Sequence, residues 1–147
     1  MYRISTRRGF TLIELLVVVA IVAVIGAIAY PSYADSVKHS RRLDAMSGLE
    51  GLALALARYH TENGTYANAV DIYPMQTPID SGTKYYDLAV VTEDLTAATE
   101  YILRAKPIDG TSQEGDGSIE LNYANQRSWD EDGNENISDT DKDWDRG

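Results

Sequence analysis

The sequence contains no cysteine, so this 147-residue chain forms no disulfide, no thiolate metal site and no cysteine nucleophile. Positive charge is also scarce, because 13 Lys and Arg stand against 23 Asp and Glu and the formal net charge is -10. Binding to the phosphate backbone of DNA depends on Lys and Arg side chains that release counterions. We therefore predict no direct contact between this acidic chain and nucleic acid. The length leaves room for about one domain.

The charges are segregated along the chain. Three arginines precede an apolar run, residues 10–30, whose only strongly polar member is Glu14. Eight acidic residues lie between Asp130 and Asp145. The chain thus has a basic start, an apolar segment and an acidic end. The three arginines are Arg3, Arg7 and Arg8.

The apolar run has the length of a membrane span. Its 21 residues would form a helix of roughly 30 Å, the thickness of the hydrocarbon core of a bilayer. The arginines before it predict a cytoplasmic N-terminus by the positive-inside rule. A cleaved signal peptide fits badly, because the run is too long and is followed by Tyr30-Pro31-Ser32-Tyr33 rather than by small residues. A plain signal anchor has no use for Glu14, since an unpaired carboxylate is costly in hydrocarbon.

The start of the apolar run carries a specific motif. Residues 8–18 read Arg-Gly-Phe-Thr-Leu-Ile-Glu-Leu-Leu-Val-Val. This stretch resembles the type III leader junction of type IV pilins and of the pseudopilins of type II secretion. The resemblance implies that a prepilin peptidase of the inner membrane cuts after Gly9 and methylates the new N-terminus, Phe10. It also implies that Glu14, the fifth residue of the mature chain, pairs with the N-terminal amine of a neighbouring subunit.

Beyond Pro31 the pattern is that of an amphipathic helix. Apolar residues recur at spacings of 4, 3, 4 and 3, which places them on one face, and Leu54 is expected to widen this stripe. Asn63-Gly64 is a signal for the end of a helix. We predict one helix from about Phe10 to about Glu62, with a kink at Pro31. The stripe consists of Ala45, Leu49, Leu52, Leu56 and Tyr59.

Short and partly alternating apolar segments follow the helix, as expected for strands that face a helix on one side. They predict an antiparallel meander, and hence an α+β fold with a long helix packed on a small sheet. The resemblance implies the same architecture, and residues 64–66 and 101–107 are similar to PilE-type minor pilins in particular. The predicted strands are residues 85–91, 101–106 and 119–123, with turns at residues 93–96 and 109–117.

The acidic end is similar to the C-terminus of PilE-type subunits over residues 128–138 and at Trp144. The resemblance implies a disulfide here, which this chain lacks, and Asp116 and Asp143 lie near the positions expected for its two cysteines. A bound cation could hold this end in place of the disulfide, because side chains with oxygen ligands alternate here as in an EF-hand loop. The motif is damaged, since Glu135 stands where it has Gly, and a solvated acidic turn is the open alternative. The candidate Ca²⁺ ligands are Asp130, Asp132, Asn134, Asn136 and Asp141.

Together these features predict a structural minor subunit of a type IV pilus. We expect a cleaved leader at residues 1–9, a transmembrane and polymerisation helix at 10–31, and a periplasmic head at 32–147. The expected partners are the prepilin peptidase, the inner-membrane assembly platform and other pilin subunits. The family context implies a role in pilus biogenesis, twitching motility, adhesion or DNA uptake.

Other functions were weighed against this one. No nucleophile, base and orienting group occur at a recognisable spacing, so we expect no enzymatic activity. A type II secretion pseudopilin and a membrane-anchored periplasmic calcium-binding module stay open as alternatives.

Overall fold

The longest element of the protein is one α-helix. The computed structural model describes residues 9–69, 71–91 and 100–130. Helix α1 spans Leu12–Asn63, within two residues of the predicted bounds at each end. Its end matches the predicted signal, because Gly64 has a φ of 72° and its amide donates to the carbonyl of His60 at 2.7 Å. The helix is uninterrupted at Pro31, so the proline does not break it.

The chain divides into two compact units between Ser36 and Val37. The described part of the first unit is helical from Leu12 onward, and its large apolar side chains are exposed. The second unit, which we call the head, holds the rest of α1 and a β-sheet.

The sheet of the head is an antiparallel meander, as predicted. Its strands are β1 (Gln76–Thr77), β2 (Tyr86–Val90), β3 (Ile102–Pro107), β4 (Ile119–Asn122) and β5 (Arg127–Trp129). They lie in the order β1-β2-β3-β4-β5, and each pairs antiparallel with the next. The predicted strands are β2, β3 and β4, each within one residue of its expected bounds. The predicted turn at residues 93–96 lies outside the described residues, whereas residues 109–117 do connect β3 to β4.

Strands β1 and β5 were missed by the sequence analysis. They have two and three residues, which is too short for an alternating pattern to show. Both are edge strands, and they exist because a longer neighbour supplies their hydrogen-bond partners.

One face of α1 packs against one face of the sheet. The predicted helical stripe is confirmed for its first four members, which are buried, and Tyr59 is half-buried. Leu54 was expected to widen the stripe but is 56% exposed, because it lies about 140° around the helix from Leu49. From the sheet, the core takes Tyr86, Leu88, Leu103, Ala105, Ile119 and Leu121.

Candidate functional site

The first turn of α1 is closed by a capping box between Thr11 and Glu14. The Thr11 amide and the Thr11 hydroxyl each donate to Glu14 Oε2 at 2.9 Å. In return the Glu14 amide donates to Thr11 Oγ1 at 3.2 Å. Such reciprocal bonds satisfy amide groups that have no partner inside the helix. The cap is a second role of Glu14 besides the role between subunits that the resemblance implies, and the Thr-x-x-Glu spacing is itself a signal for it.

The predicted cleavage junction lies just before this turn. Phe10 is 86% exposed, and a Cβ added at Gly9 would meet no atom within 4 Å. The fold therefore does not require a glycine at position 9.

The apolar segment that follows is exposed along the part of the first unit that the structure describes. Its most apolar window of 18 residues has a mean hydropathy of 3.0, and none of that window is buried. By length and composition, α1 is the one helix among residues 9–69, 71–91 and 100–130 that could cross a membrane. An apolar surface of this extent requires lipid or other protein chains to cover it.

In the head, a buried polar cluster is centred on Asp116. Its Oδ2 accepts hydrogen bonds from the Tyr86 hydroxyl and from Gln113 Nε2, both at 2.8 Å. Arg42 Nε lies 3.2 Å from the same oxygen, and the two side chains are only 13% and 9% exposed. Within the described chain Arg42 Nε meets no hydrogen-bond geometry, so this contact is an ion pair by distance. The cluster joins α1, β2 and the β3–β4 connection.

Burial sets the chemistry of Tyr86 in this cluster. Desolvation raises the pKa of the Tyr86 hydroxyl far above its usual value. The hydrogen bond from Gln113 opposes this rise, and the negative charge of Asp116 adds to it. Tyr86 is therefore a neutral hydroxyl at physiological pH, and it keeps donating its proton to the Asp116 carboxylate.

The end of β5 closes over the cluster. Trp129 Nε1 donates to the backbone carbonyl of Asp116 at 2.9 Å, and the Arg42 guanidinium carbon lies 4.2 Å from the centroid of the indole ring. The next amide, that of Asp130, donates to the carbonyl of Ser118 at 2.9 Å. Gly117 has a φ of 81°, and a Cβ there would overlap the carbonyl oxygen of Asp130. The two segments thus approach so closely that only glycine fits between them.

Arg41, the residue before Arg42, makes similar contacts. Its guanidinium carbon lies 3.8 Å from the centroid of the Tyr85 ring, and Arg41 Nη2 donates to the Tyr85 hydroxyl at 3.1 Å. Arg41 Nη1 donates to Ser112 Oγ. Two consecutive arginines of α1 therefore each stack on an aromatic ring and hold the connection between β3 and β4.

The structure describes one of the five candidate Ca²⁺ ligands. Asp130 is fully buried at the end of β5, whereas Asp132, Asn134, Asn136 and Asp141 lie outside the described residues. Among the residues that the structure does describe, no group of three or more His, Asp and Glu side chains could hold a metal ion. The calcium site therefore stays a prediction.

The Asp116 cluster was not predicted, because its members are far apart in sequence. Arg42 and Trp129 come from opposite ends of the head, and no short motif links them. The one signal in the sequence for contacts at this point was the position of Asp116, which lies near a cysteine position implied by the resemblance to PilE-type subunits. The structure shows noncovalent contacts there.

Comparison with known proteins identifies the family. A family described as the type IV minor pilin ComP, DNA uptake sequence receptor, matches residues 31–134, and the prokaryotic N-terminal methylation motif matches residues 4–30. The chain belongs to this family of type IV minor pilins. The match bears out the resemblance to pilins and the fold expected from it, and it favours a pilus subunit over a secretion pseudopilin.

Individual relatives agree with this family. The chain is 28% identical over 111 residues to the type IV major pilin PilE1 of Neisseria gonorrhoeae, which covers 75% of this chain and 49% of that protein. It is 38% identical over 62 residues to the fimbrial protein EcpC of Eikenella corrodens, which covers 42% of this chain and 40% of that protein. The pilin thus spans about half the length, or less, of these curated relatives.

Among solved structures, the crystal structure of the non-core minor pilin PilV of Neisseria meningitidis is similar over 64% of this chain and 87% of that chain. The sequence identity is 17% and the TM-score is 0.48.

Proposed function

We propose that this pilin is a structural minor subunit of a type IV pilus. It is inserted in the inner membrane as a prepilin, with its N-terminus in the cytoplasm and its head in the periplasm. The prepilin peptidase cuts after Gly9 and methylates Phe10, and the assembly platform then transfers the mature chain into the filament. In this role the pilin contributes no enzymatic activity.

The observation that carries the proposal is the exposed apolar part of α1 within the matched methylation motif. None of its most apolar window is buried, although the head has a complete core of its own. Lipid covers such a surface before assembly, and the helices of other subunits cover it afterwards. A tether for a binding module would need the apolar length but not the cleavage junction or Glu14.

In the unassembled subunit, the capping box gives the Glu14 carboxylate neutral hydrogen-bond donors from Thr11. A carboxylate in an apolar environment is stabilised much further by a positive charge. The amine that cleavage creates at Phe10 of another subunit supplies that charge. Glu14 thus has one role within its own chain, as a cap, and a second role between subunits, as an anion.

Two variants of Glu14 separate these roles. Gln is also a residue of the capping box, so Glu14→Gln keeps the cap and loses the charge, whereas Glu14→Ala loses both. We expect both variants to be inserted in the membrane and cut. Both should be depleted at least about tenfold from sheared pili, because the loss of an ion pair worth about 1.4 kcal/mol corresponds to a factor of ten. Immunoblots of the sheared and membrane fractions measure incorporation.

Intact mass spectrometry of the same membrane fractions is the control for processing. It should find methylated Phe10 as the N-terminus in the wild type and in both variants. Normal entry of Glu14→Gln into pili would contradict the charge pairing, and an uncut N-terminus at Met1 in cells with an active peptidase would contradict the pilin role itself.

Direct binding of DNA is the second candidate function, since the matched family is described as a DNA uptake sequence receptor. Several basic side chains of the described head are already engaged within it. Arg42, Arg104 and Arg127 are ion-paired with Asp116, Glu120 and Glu50, and Lys84 donates to two backbone carbonyls. Because these side chains are engaged within the head and the whole chain has a formal net charge of -10, conditions that disfavour contacts with phosphate, we propose that this pilin supports the filament without binding duplex DNA itself.

Fluorescence anisotropy of a labelled DNA duplex tests this second function. We expect the detergent-solubilised full chain to leave the anisotropy unchanged at about 50 mM salt, where nonspecific binding would be stronger than at physiological salt. A duplex carrying the cognate uptake sequence and a scrambled duplex are compared. Binding that weakens steeply as salt rises would favour the receptor role, and a preference for one duplex would make that role specific.

A further inference from the structure

We propose that Arg42 acts as a latch that holds β5 against α1, so that loss of this one charge opens the C-terminal end of the head while the rest of the sheet stays folded. The latch consists of Arg42 on α1, Asp116 on the β3–β4 connection and Trp129 on β5. The Asp116 carboxylate lies at Arg42 Nε, and the Trp129 indole is stacked on the guanidinium group of the same arginine. One side chain of the helix thus reaches both segments.

The weakness of β5 makes it depend on the latch. It is an edge strand of three residues, and such elements open locally more easily than the core does. Its second link to α1 is the ion pair between Arg127 and Glu50, whose side chains are 33% and 50% exposed. Exposed pairs contribute little to stability because water screens them. Trp129, which is 7% exposed, is a buried anchor of β5, and Arg42 and Asp116 hold it.

The core touches the latch at Tyr86, whose hydroxyl donates to Asp116, but its strands are also held by other contacts. Strands β2, β3 and β4 pair with one another in the centre of the sheet, and their apolar residues pack on the stripe of α1. Removal of one partner from a buried ion pair leaves the other charge uncompensated. In Arg42→Gln this charge is on Asp116, whose backbone carbonyl accepts the hydrogen bond from Trp129 of β5, so we expect the cost to fall on that end of the head.

Native-state trypsin digestion of the full chain in detergent tests the latch. Two cleavage sites report on two regions of the same molecule: Arg127-Ser128 in β5 and Arg104-Ala105 in the central strand β3. We expect Arg42→Gln and Asp116→Asn each to speed cleavage at Arg127 at least about tenfold, equal to about 1.4 kcal/mol. Cleavage at Arg104 should change by less than about twofold.

A double variant and a matched control complete the experiment. Arg42→Gln with Asp116→Asn removes both charges, so cleavage at Arg127 should be slower than in either single variant. Glu120→Gln is the matched control, because it removes one charge from the ion pair between Glu120 and Arg104, whose Nε lies 2.6 Å from Glu120 Oε1. It should leave the Arg127-Ser128 bond protected. Equal acceleration at Arg104 and Arg127, unchanged cleavage at Arg127, or equal opening by Glu120→Gln would each overturn the latch.

Discussion

Two carboxylates of this pilin, Asp116 and Glu14, have different hydrogen-bond partners. Asp116 is buried in the head, and its own chain gives it two neutral donors and a guanidinium group. Glu14 lies in an apolar helix, and the hydrogen bonds described for it come from a neutral threonine. The first arrangement is complete within one chain. In the role that we propose for Glu14, a partner subunit adds the positive charge that its own chain does not supply.

Tyr86 gives the head a specific sensitivity to alkali. Its folded pKa is raised by burial, so the folded state holds this proton more tightly than the unfolded state does. The stabilisation is complete below the unfolded pKa of about 10, and it is lost as pH rises toward the folded value. Above about pH 10, we expect the free energy of unfolding to fall by up to about 1.4 kcal/mol per pH unit through Tyr86.

Urea unfolding of the head within the full chain, followed by circular dichroism at several pH values from 8 to 12, measures this loss. Tyr86→Phe removes the ionisable hydroxyl, and it should be less stable than the wild type at pH 8 because Asp116 loses a donor. Its stability should then decline less steeply above pH 10. Parallel curves for the two proteins would contradict a role for Tyr86 in the alkaline transition.

At the scale of elements, α1 was the most predictable part of the fold. Its apolar stripe repeats with the helical period over several turns, and Asn63-Gly64 marks its end, so both bounds were predicted within two residues. The central strands were predicted for the same kind of reason, since β2 and β4 alternate between buried and more exposed positions. Strands β1 and β5 could not be predicted, because pairing with longer strands defines them and their own sequence does not.

Two glycines on α1 should respond differently to the same substitution. A Cβ at Gly48 would overlap Thr77 Cγ2 and lie 3.1 Å from Leu88 Cδ1, in the buried contact with the sheet. A Cβ at Gly51 would overlap the hydroxyl end of Tyr73, which is half-buried and packs at the margin of the core, so that only the end of this side chain has to move. Alanine gains about 1 kcal/mol over glycine in a helix, whereas overpacking a core costs about 1–3 kcal/mol.

We therefore expect Gly48→Ala to lower the free energy of unfolding by up to about 2 kcal/mol, because overpacking outweighs helix propensity. Gly51→Ala should leave it unchanged or raise it by up to about 1 kcal/mol. Each variant is the control for the other, and urea unfolding of the full chain in detergent measures both. A stabilised Gly48→Ala would mean that β1 moves away from the helix at no cost.

At the scale of the whole molecule, the pilin family could be predicted from the sequence, whereas the contacts inside the head could not. The leader junction and the apolar run are local features, so residues 8–30 sufficed to recognise a pilin. The latch joins Arg42 to Asp116 and Trp129, residues 74 and 87 positions further along the chain. Contacts at such separations follow from the sheet order, which periodicity does not determine. The absence of cysteine raises the question of what holds the C-terminal part of the head, and for β5 the described contacts are those of Trp129 with Asp116 and Arg42.

The remaining question for the whole molecule is whether the acidic end binds Ca²⁺. An ion that binds only the folded state stabilises it by about 2.7 kcal/mol at a hundredfold excess over its dissociation constant. We expect the full chain in detergent to melt at a higher temperature in millimolar Ca²⁺ than in chelator at constant ionic strength. Mg²⁺ should have a smaller effect, because it demands octahedral geometry and gives up its water reluctantly.

The choice of variant decides whether this calcium experiment is informative. Asp130 is fully buried and follows the latch residue Trp129, so its substitution would disturb the fold with or without an ion. Asp132→Asn with Asp141→Asn removes two charges from the predicted ligand set and leaves Asp130 intact, and it should abolish the difference between Ca²⁺ and chelator. If the wild-type chain melts at the same temperature in Ca²⁺ and in chelator, that result would instead support a solvated acidic turn. In that case the latch, rather than an ion, would be what secures the C-terminal end of the head.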